Sequence, residues 1–175
     1  MNRQQTNRFA LLMAAFSLVG PLQTVSSALE TDKNQEMLWS ADGDSRMSIE
    51  NGVRLVEMSD NVIITQGTLE IRGDAATIEY NISNNAVSRV TVTGSPAYYQ
   101  QQLDSSDAPV KGSSRTLSFY SDEIDGTTVI ELIGEAVIES PTANLRCSAI
   151  VYIAEQDLIR EAPGPCSGVF NSTNR

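Results

Sequence analysis

The chain has 175 residues, a formal net charge of −10 and no histidine. That balance argues against nucleic acid, whose phosphates demand lysine and arginine, and against electrostatic docking to an anionic membrane surface. Losing histidine removes the commonest general base and metal ligand together.

Residues 1–28 read as a cleavable signal peptide. Arg3 and Arg8 supply a positive start, Phe9 to Gly20 is apolar but short for a bilayer, and Ser26-Ser27-Ala28 places cleavage after Ala28. An uncleaved N-terminal anchor is the alternative. The expected mature chain, residues 29–175, has 175 − 28 = 147 residues and a charge of 10 − 22 = −12. That length suits one domain with its own core. No later stretch is apolar enough to cross a membrane, so an exported, soluble protein is expected.

Helix signals are nearly absent after residue 28. Strands are expected near Arg46–Ile49, Val53–Met58, Val62–Gln66, Leu69–Arg72, Ala75–Tyr80, Val87–Val92 and Ala97–Gln101. Others are expected near Thr116–Tyr120, Thr128–Ile133, Ala136–Glu139, Leu145–Ile153 and Leu158–Arg160. Asn51-Gly52, Gln66-Gly67, Asp125-Gly126 and Ile133-Gly134 mark tight turns. Ser40–Ser45 and Asp104–Pro109 read as loops, and from about residue 163 the chain turns Pro/Gly-rich and is expected to be loose.

A near-repeat organises this pattern. Val56 to Ile64 reappears, altered and without gaps, as Ile130 to Ile138, a shift of 130 − 56 = 74 positions. Val56, Met58, Val62 and Ile64 are apolar, as are Ile130, Leu132, Ala136 and Ile138, while Glu57, Asn61, Glu131 and Glu135 between them are polar. Period-two alternation makes half-buried strands with one apolar face. The same bias holds in Ala76-Ile78-Tyr80, Val90-Val92 and Leu117-Phe119. A sheet with one apolar face closes on itself or packs a second layer, giving an all-β sandwich, roll or jellyroll. The interior is mostly aliphatic, which suits acyl chains and equally suits an ordinary closed core.

Catalytic signatures are lacking. No Gly-x-Ser-x-Gly elbow or phosphate loop is present. Ser121-x-Glu123-x-Asp125-Gly126 imitates half a calcium loop, but its twelfth position is Leu132, so a hairpin turn is the better reading. Asp122 and Glu123 have no aromatic sugar platform beside them. No enzyme, cofactor or metal is expected. Cys147 and Cys166 fit one disulfide in an exported chain, with two unpaired thiols as the alternative. Asn81-Ile82-Ser83 and Asn171-Ser172-Thr173 match a glycosylation triplet that arises often by chance.

Asp60-Asn61-Val62-Ile63-Ile64-Thr65-Gln66-Gly67-Thr68-Leu69-Glu70-Ile71 resembles the signature of the OstA-like domain family. Gly94-Ser95-Pro96-Ala97-Tyr98-Tyr99, Pro109-Val110-Lys111-Gly112 and a second copy at Gly134-Glu135-Ala136 follow in the family's order. The resemblance spans about Met37 to Ile159. It implies an OstA-like β-jellyroll, a twisted antiparallel roll with an apolar interior open along one side. It also implies a periplasmic, lipopolysaccharide-binding transport protein that shields lipid A acyl chains. Such domains stack head-to-tail by strand addition, and the implied partners are inner-membrane LptC-type and outer-membrane LptD-type OstA-like domains.

On this reading the lipid-binding residues are Val56, Met58, Val62, Ile64, Ile78, Leu117, Phe119, Ile130, Leu132 and Ile138. Met37 and Trp39, on the family's N-terminal lining strand, join them at one mouth. Tyr98 and Tyr99 point to opposite faces, and the inner one is not fixed. The Cys147/Cys166 pair is no part of the family pattern. An LptC-type anchored component and an interaction protein with a closed core stay open as alternatives.

Overall fold

A computed structural model describes residues 28–104, 108–122 and 124–171. The expected signal peptide before Ala28, Glu123, Ser105 to Asp107 of the polar loop, and Ser172-Thr173 of the second glycosylation triplet lie outside the described residues. A short helix α1 (Ala28–Lys33) leads into β1 (Leu38–Ser40) and β2 (Ser45–Glu50). Six long strands follow: β3 (Val53–Gln66), β4 (Leu69–Asn81), β5 (Val87–Gln101), β6 (Val110–Ser121), β7 (Thr128–Glu139) and β8 (Ala143–Ile153). A 3-10 turn (Ala154–Gln156), β9 (Leu158–Glu161) and β10 (Ser167–Phe170) follow among the described residues.

The long strands pair antiparallel in chain order as one sheet. Each is bent midway, so what alternation divides into separate runs is continuous strand. The register breaks between Ser59 and Val62, Arg72 and Ala75, Thr93 and Ala97, Ser113 and Thr116, and Ile133 and Ala136. These breaks form a row of bulges across the sheet, and bulges bend a sheet and increase its twist. Two walls result. Wall one holds residues 53–59, 75–81, 87–93, 116–121, 128–133 and 149–153, and wall two holds 62–66, 69–73, 97–101, 110–114, 136–139 and 143–147. Their inner faces share one apolar core.

The 74-residue repeat maps one bend onto another. Asp60 and Asn61 take φ of 62° and 50°, and Gly134 and Glu135, at 60 + 74 and 61 + 74, take 81° and 55°. Ile133-Gly134, expected as a tight turn, is therefore a bend inside β7, because two left-handed residues redirect the strand without ending it. Asn51-Gly52 is a true hairpin turn, with φ of 50° and 82° suiting the primed turn type.

Both sides of the sheet finish alike. β3 is covered by β2 on wall one and by β1 on wall two. The loop between them reaches the bend, where the Asp42 N–H donates to the Asp60 carbonyl at 2.7 Å. β8 is covered by β9 on wall one and by β10 on wall two, and the Ser148 N–H at its bend donates to the Pro163 carbonyl at 3.1 Å. The terminal strands do not pair with each other, so the roll is unclosed.

As far as Asn171, the stretch from about residue 163 is not loose. It runs back along β8 as β10, in register from Ser167 opposite Arg146 to Phe170 opposite Ala143. Cys147, facing the core, is bonded to exposed Cys166, with Cα atoms 4.2 Å apart. Composition pointed to disorder there, but backbone pairing and a crosslink fix the segment.

Candidate functional site

The interior gathers most of the residues that alternation selects. Val56, Met58, Val62, Ile64, Ile78, Leu117, Ile130, Leu132 and Ile138 lie in one buried cluster contributed by both walls. Met37 and Phe119 are half-buried and pack against it. Trp39 is 43% exposed on β1, and its register opposite the buried Ile64 puts it on the inner face at the uncovered margin of the roll.

The cluster also holds Leu69, Ile71, Val90, Val92, Tyr99, Val110, Leu145, Ile150 and Tyr152, which the sequence reading leaves out of the lining. Their signal is alternation whose phase flips at a bend. In β4 the buried set passes from Leu69 and Ile71 to Ala76 and Ile78, and in β5 from Val90 and Val92 to Ala97 and Tyr99. The two-residue inserts of β3 and β7 preserve the phase. This places Tyr99 inside, 2% exposed, and Tyr98 outside, 53% exposed.

Polar groups sit at the ends of the interior. The Tyr99 hydroxyl donates to Gln101 Oε1 at 3.0 Å, and the Tyr152 hydroxyl donates to Asp157 Oδ1 at 2.9 Å. Burial pushes both phenols well above their ordinary range, and nearby carboxylates, Glu155 and Asp157 among them, add to the effect. Both stay neutral and act as hydrogen-bond donors. Among the described residues no group of three or more Asp, Glu or Cys side chains is arranged to hold a metal ion.

A cleft of about 620 Å³ opens along the side away from the bends, lined by Met37, Tyr80, Val87 and Phe119 together with Lys33, Gln66 and Thr128. The segment from α1 to Met37 borders it. Asp32 is 3% exposed and accepts from the Thr68 N–H at 2.7 Å, the Thr68 hydroxyl at 2.6 Å and Gln101 Nε2 at 3.0 Å. Lys33 pairs with Glu155 at 2.7 Å. Glu155 also accepts from the Thr128 N–H and hydroxyl, at 2.8 and 2.6 Å. Burial alone pulls the Glu155 carboxyl upward, yet the bonds from Lys33 and Thr128 outweigh it and hold its pKa below the ordinary value. Nothing in the sequence marks Asp32, since a lone acidic residue in a polar stretch reads as solvated.

Residues 44–157, about two thirds of the chain, match the family described as "LptA/(LptD N-terminal domain) LPS transport protein". The chain belongs to this family of lipopolysaccharide transport proteins. The matched span runs from the start of β2 to the 3-10 turn, so the family's signature covers both walls. The segment carrying Asp32 and the stretch carrying Cys166 and β10 fall outside it. Among solved structures the roll is similar to LptH of Pseudomonas aeruginosa, described as the LptA homologous periplasmic component of the lipopolysaccharide transport device. That likeness has a TM-score of 0.65 at 19% identity, over 81% of this chain and 99% of that one, and it shows the fold. No curated protein matches.

Proposed function

We propose that the chain is a periplasmic carrier in lipopolysaccharide transport, of the LptA kind and without enzymatic activity. It shelters lipid A acyl chains between its walls and bridges membrane partners by head-to-tail strand addition. The observation that carries this reading is one continuous aliphatic interior inside an unclosed sheet, in a chain of a lipopolysaccharide transport family. Each methylene moved from water into such an interior gains about 0.8 kcal/mol, so affinity needs no ion pair to the headgroup phosphates. The residues proposed to contact the chains are the interior set from Val56 to Ile138, with Met37 and Phe119 at the cleft. Trp39, opposite Ile64 on the inner face, is proposed to meet them at the exposed mouth.

The terminal strands support the stacking part of the proposal. Among the described residues, seven of the eleven exposed large apolar side chains lie on the four short strands: Leu38, Trp39, Met47 and Ile49 at one end, and Leu158, Val169 and Phe170 at the other. Unpaired edges bearing exposed apolar side chains are aggregation hazards unless a partner supplies the next strand. LptC-type and LptD-type OstA-like domains, and further copies of this chain, are the proposed partners.

A second reading has one observation in its favour: Val62, Ile64, Ile130 and Ile138 have no exposure, as in a permanently closed interaction protein. Equilibrium binding of lipopolysaccharide to the purified chain, competed with lipid A, decides between them. Saturable binding displaced by lipid A is expected of the carrier. A folded chain that binds neither ligand leaves the closed-core reading.

A further inference from the structure

We propose that the segment Ala28–Met37 is a strap that holds the two walls together across the cleft, with Asp32 as its latch, and that acyl chains enter where it lifts. The entry step rests on the carrier reading; the gate itself does not.

The strap's contacts straddle the cleft. Asp32 is bonded to Thr68, in the turn between β3 and β4, and to Gln101, at the end of β5, both on wall two. Gln66, on the same wall, donates from Nε2 to the Gln35 carbonyl at 3.0 Å. The next residue along, Lys33, pairs with Glu155, which is held by Thr128 at the start of β7 on wall one. Two adjacent side chains thus staple one wall to the other, beside a cleft with Met37 and Phe119 in its lining.

The chemistry of the staple suits a catch that opens. Among the described side chains of the strap, Thr31 to Met37, Met37 is the single apolar one, and besides the Met37 contact the strap's contacts to the walls are polar. A nearly buried carboxylate is costly unless its lone pairs are filled, and here Thr68 and Gln101 fill them. Swinging out exchanges these bonds for water and gives up the Met37 contact at the edge of the core, while the fully buried side chains of the walls stay in place. Segments with few apolar contacts are the ones that open while the rest of a fold persists.

Gly67 is built to the strap. Its φ is +60°, and a Cβ at that position would sit 2.0 Å from Asp32 Oδ1 and 3.0 Å from the Asp32 Cα. No side chain fits there while the strap is seated.

The test compares the full mature chain with Asp32→Ala and Gly67→Ala, one removing the latch and the other crowding it. Far-UV dichroism checks the fold, amide exchange at Thr68 reports the strap, and stopped-flow uptake of the neutral dye N-phenyl-1-naphthylamine reports access to the interior. Hydrogen bonds to a charged group are strong enough that losing them should speed uptake by about ten-fold or more. Thr68 protection should fall while the strand signal stays. Wild-type uptake in a folded variant, whether or not Thr68 protection has fallen, overturns the proposal. Should one variant not fold, the other carries the comparison.

Lipopolysaccharide binding is measured on the same samples. Accelerated dye entry with no lipopolysaccharide binding by any chain keeps the gate and sinks the carrier reading. Lipopolysaccharide binding with dye entry unchanged in the variants does the reverse.

Discussion

Replacing both cysteines with alanine tests what holds the C-terminal end. The bridge joins residues 19 apart, and β10, which begins at the residue after Cys166, is exposed along its whole length. Removing it therefore costs the folded state little packing, apart from the Cys147 sulfur facing the core. The larger effect falls on the unfolded chain, where losing a closed loop of about 20 residues restores entropy equivalent to about 3 kcal/mol. With a denaturant slope of about 2 kcal/mol per molar urea, the unfolding midpoint should fall by roughly 1.5 M. Equilibrium urea unfolding followed by far-UV dichroism measures this, with thiol titration confirming the bond in the parent. A fall below about 0.3 M, well under what loop closure requires, would refute the reasoning. It would mean that the unfolded chain is not constrained by the bridge and that β10 is seated by its backbone pairing alone.

Four further outcomes are expected. Phe119→Asp should leave the roll folded, since the ring is half-buried at the cleft, and weaken lipopolysaccharide binding by about ten-fold or more. Ile138→Asp should unfold the chain, because an unpaired charge at a fully buried position costs several kcal/mol; thermal melts with the binding titration separate the two, and equal stability would contradict the placement. Acidification should loosen the hold of Glu155 on Thr128 and Lys33. Glu155 has a folded pKa below its ordinary value of 4.5, so its contribution is complete above that value and is lost as pH falls through the lower folded one. Thr128 amide protection, followed as pH is lowered from 6, should hold down to the ordinary value of 4.5 and fall only below it, and a loss above it would count against the reasoning. Ile49→Lys and Phe170→Lys, on opposite terminal strands and both largely exposed, should shift stability by about 0.5 kcal/mol or less. Each should abolish end-to-end association in sedimentation, and association that survives both changes would place the contact elsewhere.

The walls were legible because alternation reports burial directly. Val56, Met58, Val62 and Ile64 and their repeats at 130–138 form the inner face in both copies, since the bends of β3 and β7 add two residues and keep the phase. Where the phase flips, the same rule loses track, and so Tyr98 and Tyr99 stayed ambiguous. Phase depends on the bulge geometry around Gly94-Ser95-Pro96, which local composition does not encode. The terminal strands were harder still. β1 and β10 are exposed at every position, so no burial pattern marks them, and their pairing comes from the backbone of β3 and β8. Asp32 was invisible for a related reason. Its partners lie 36 and 69 residues away, and only the folded walls bring them together.

The two ends share a design but differ in how firmly they are finished. At one end β1 and β2 lie along β3 through backbone pairing, with one exposed ion pair between Arg46 and Glu57 that contributes at most about 1 kcal/mol. At the other end the covalent bridge fastens the start of β10 to β8. An incoming strand at that end therefore meets the outer edges of β9 and β10, with Leu158, Val169 and Phe170 exposed beside them, while the edge of β8 stays occupied. At the β3 end nothing covalent prevents a partner from displacing β1 or β2. Head-to-tail stacking of this chain would then join one fixed edge to one exchangeable edge, and breaking the bridge should make the two ends alike.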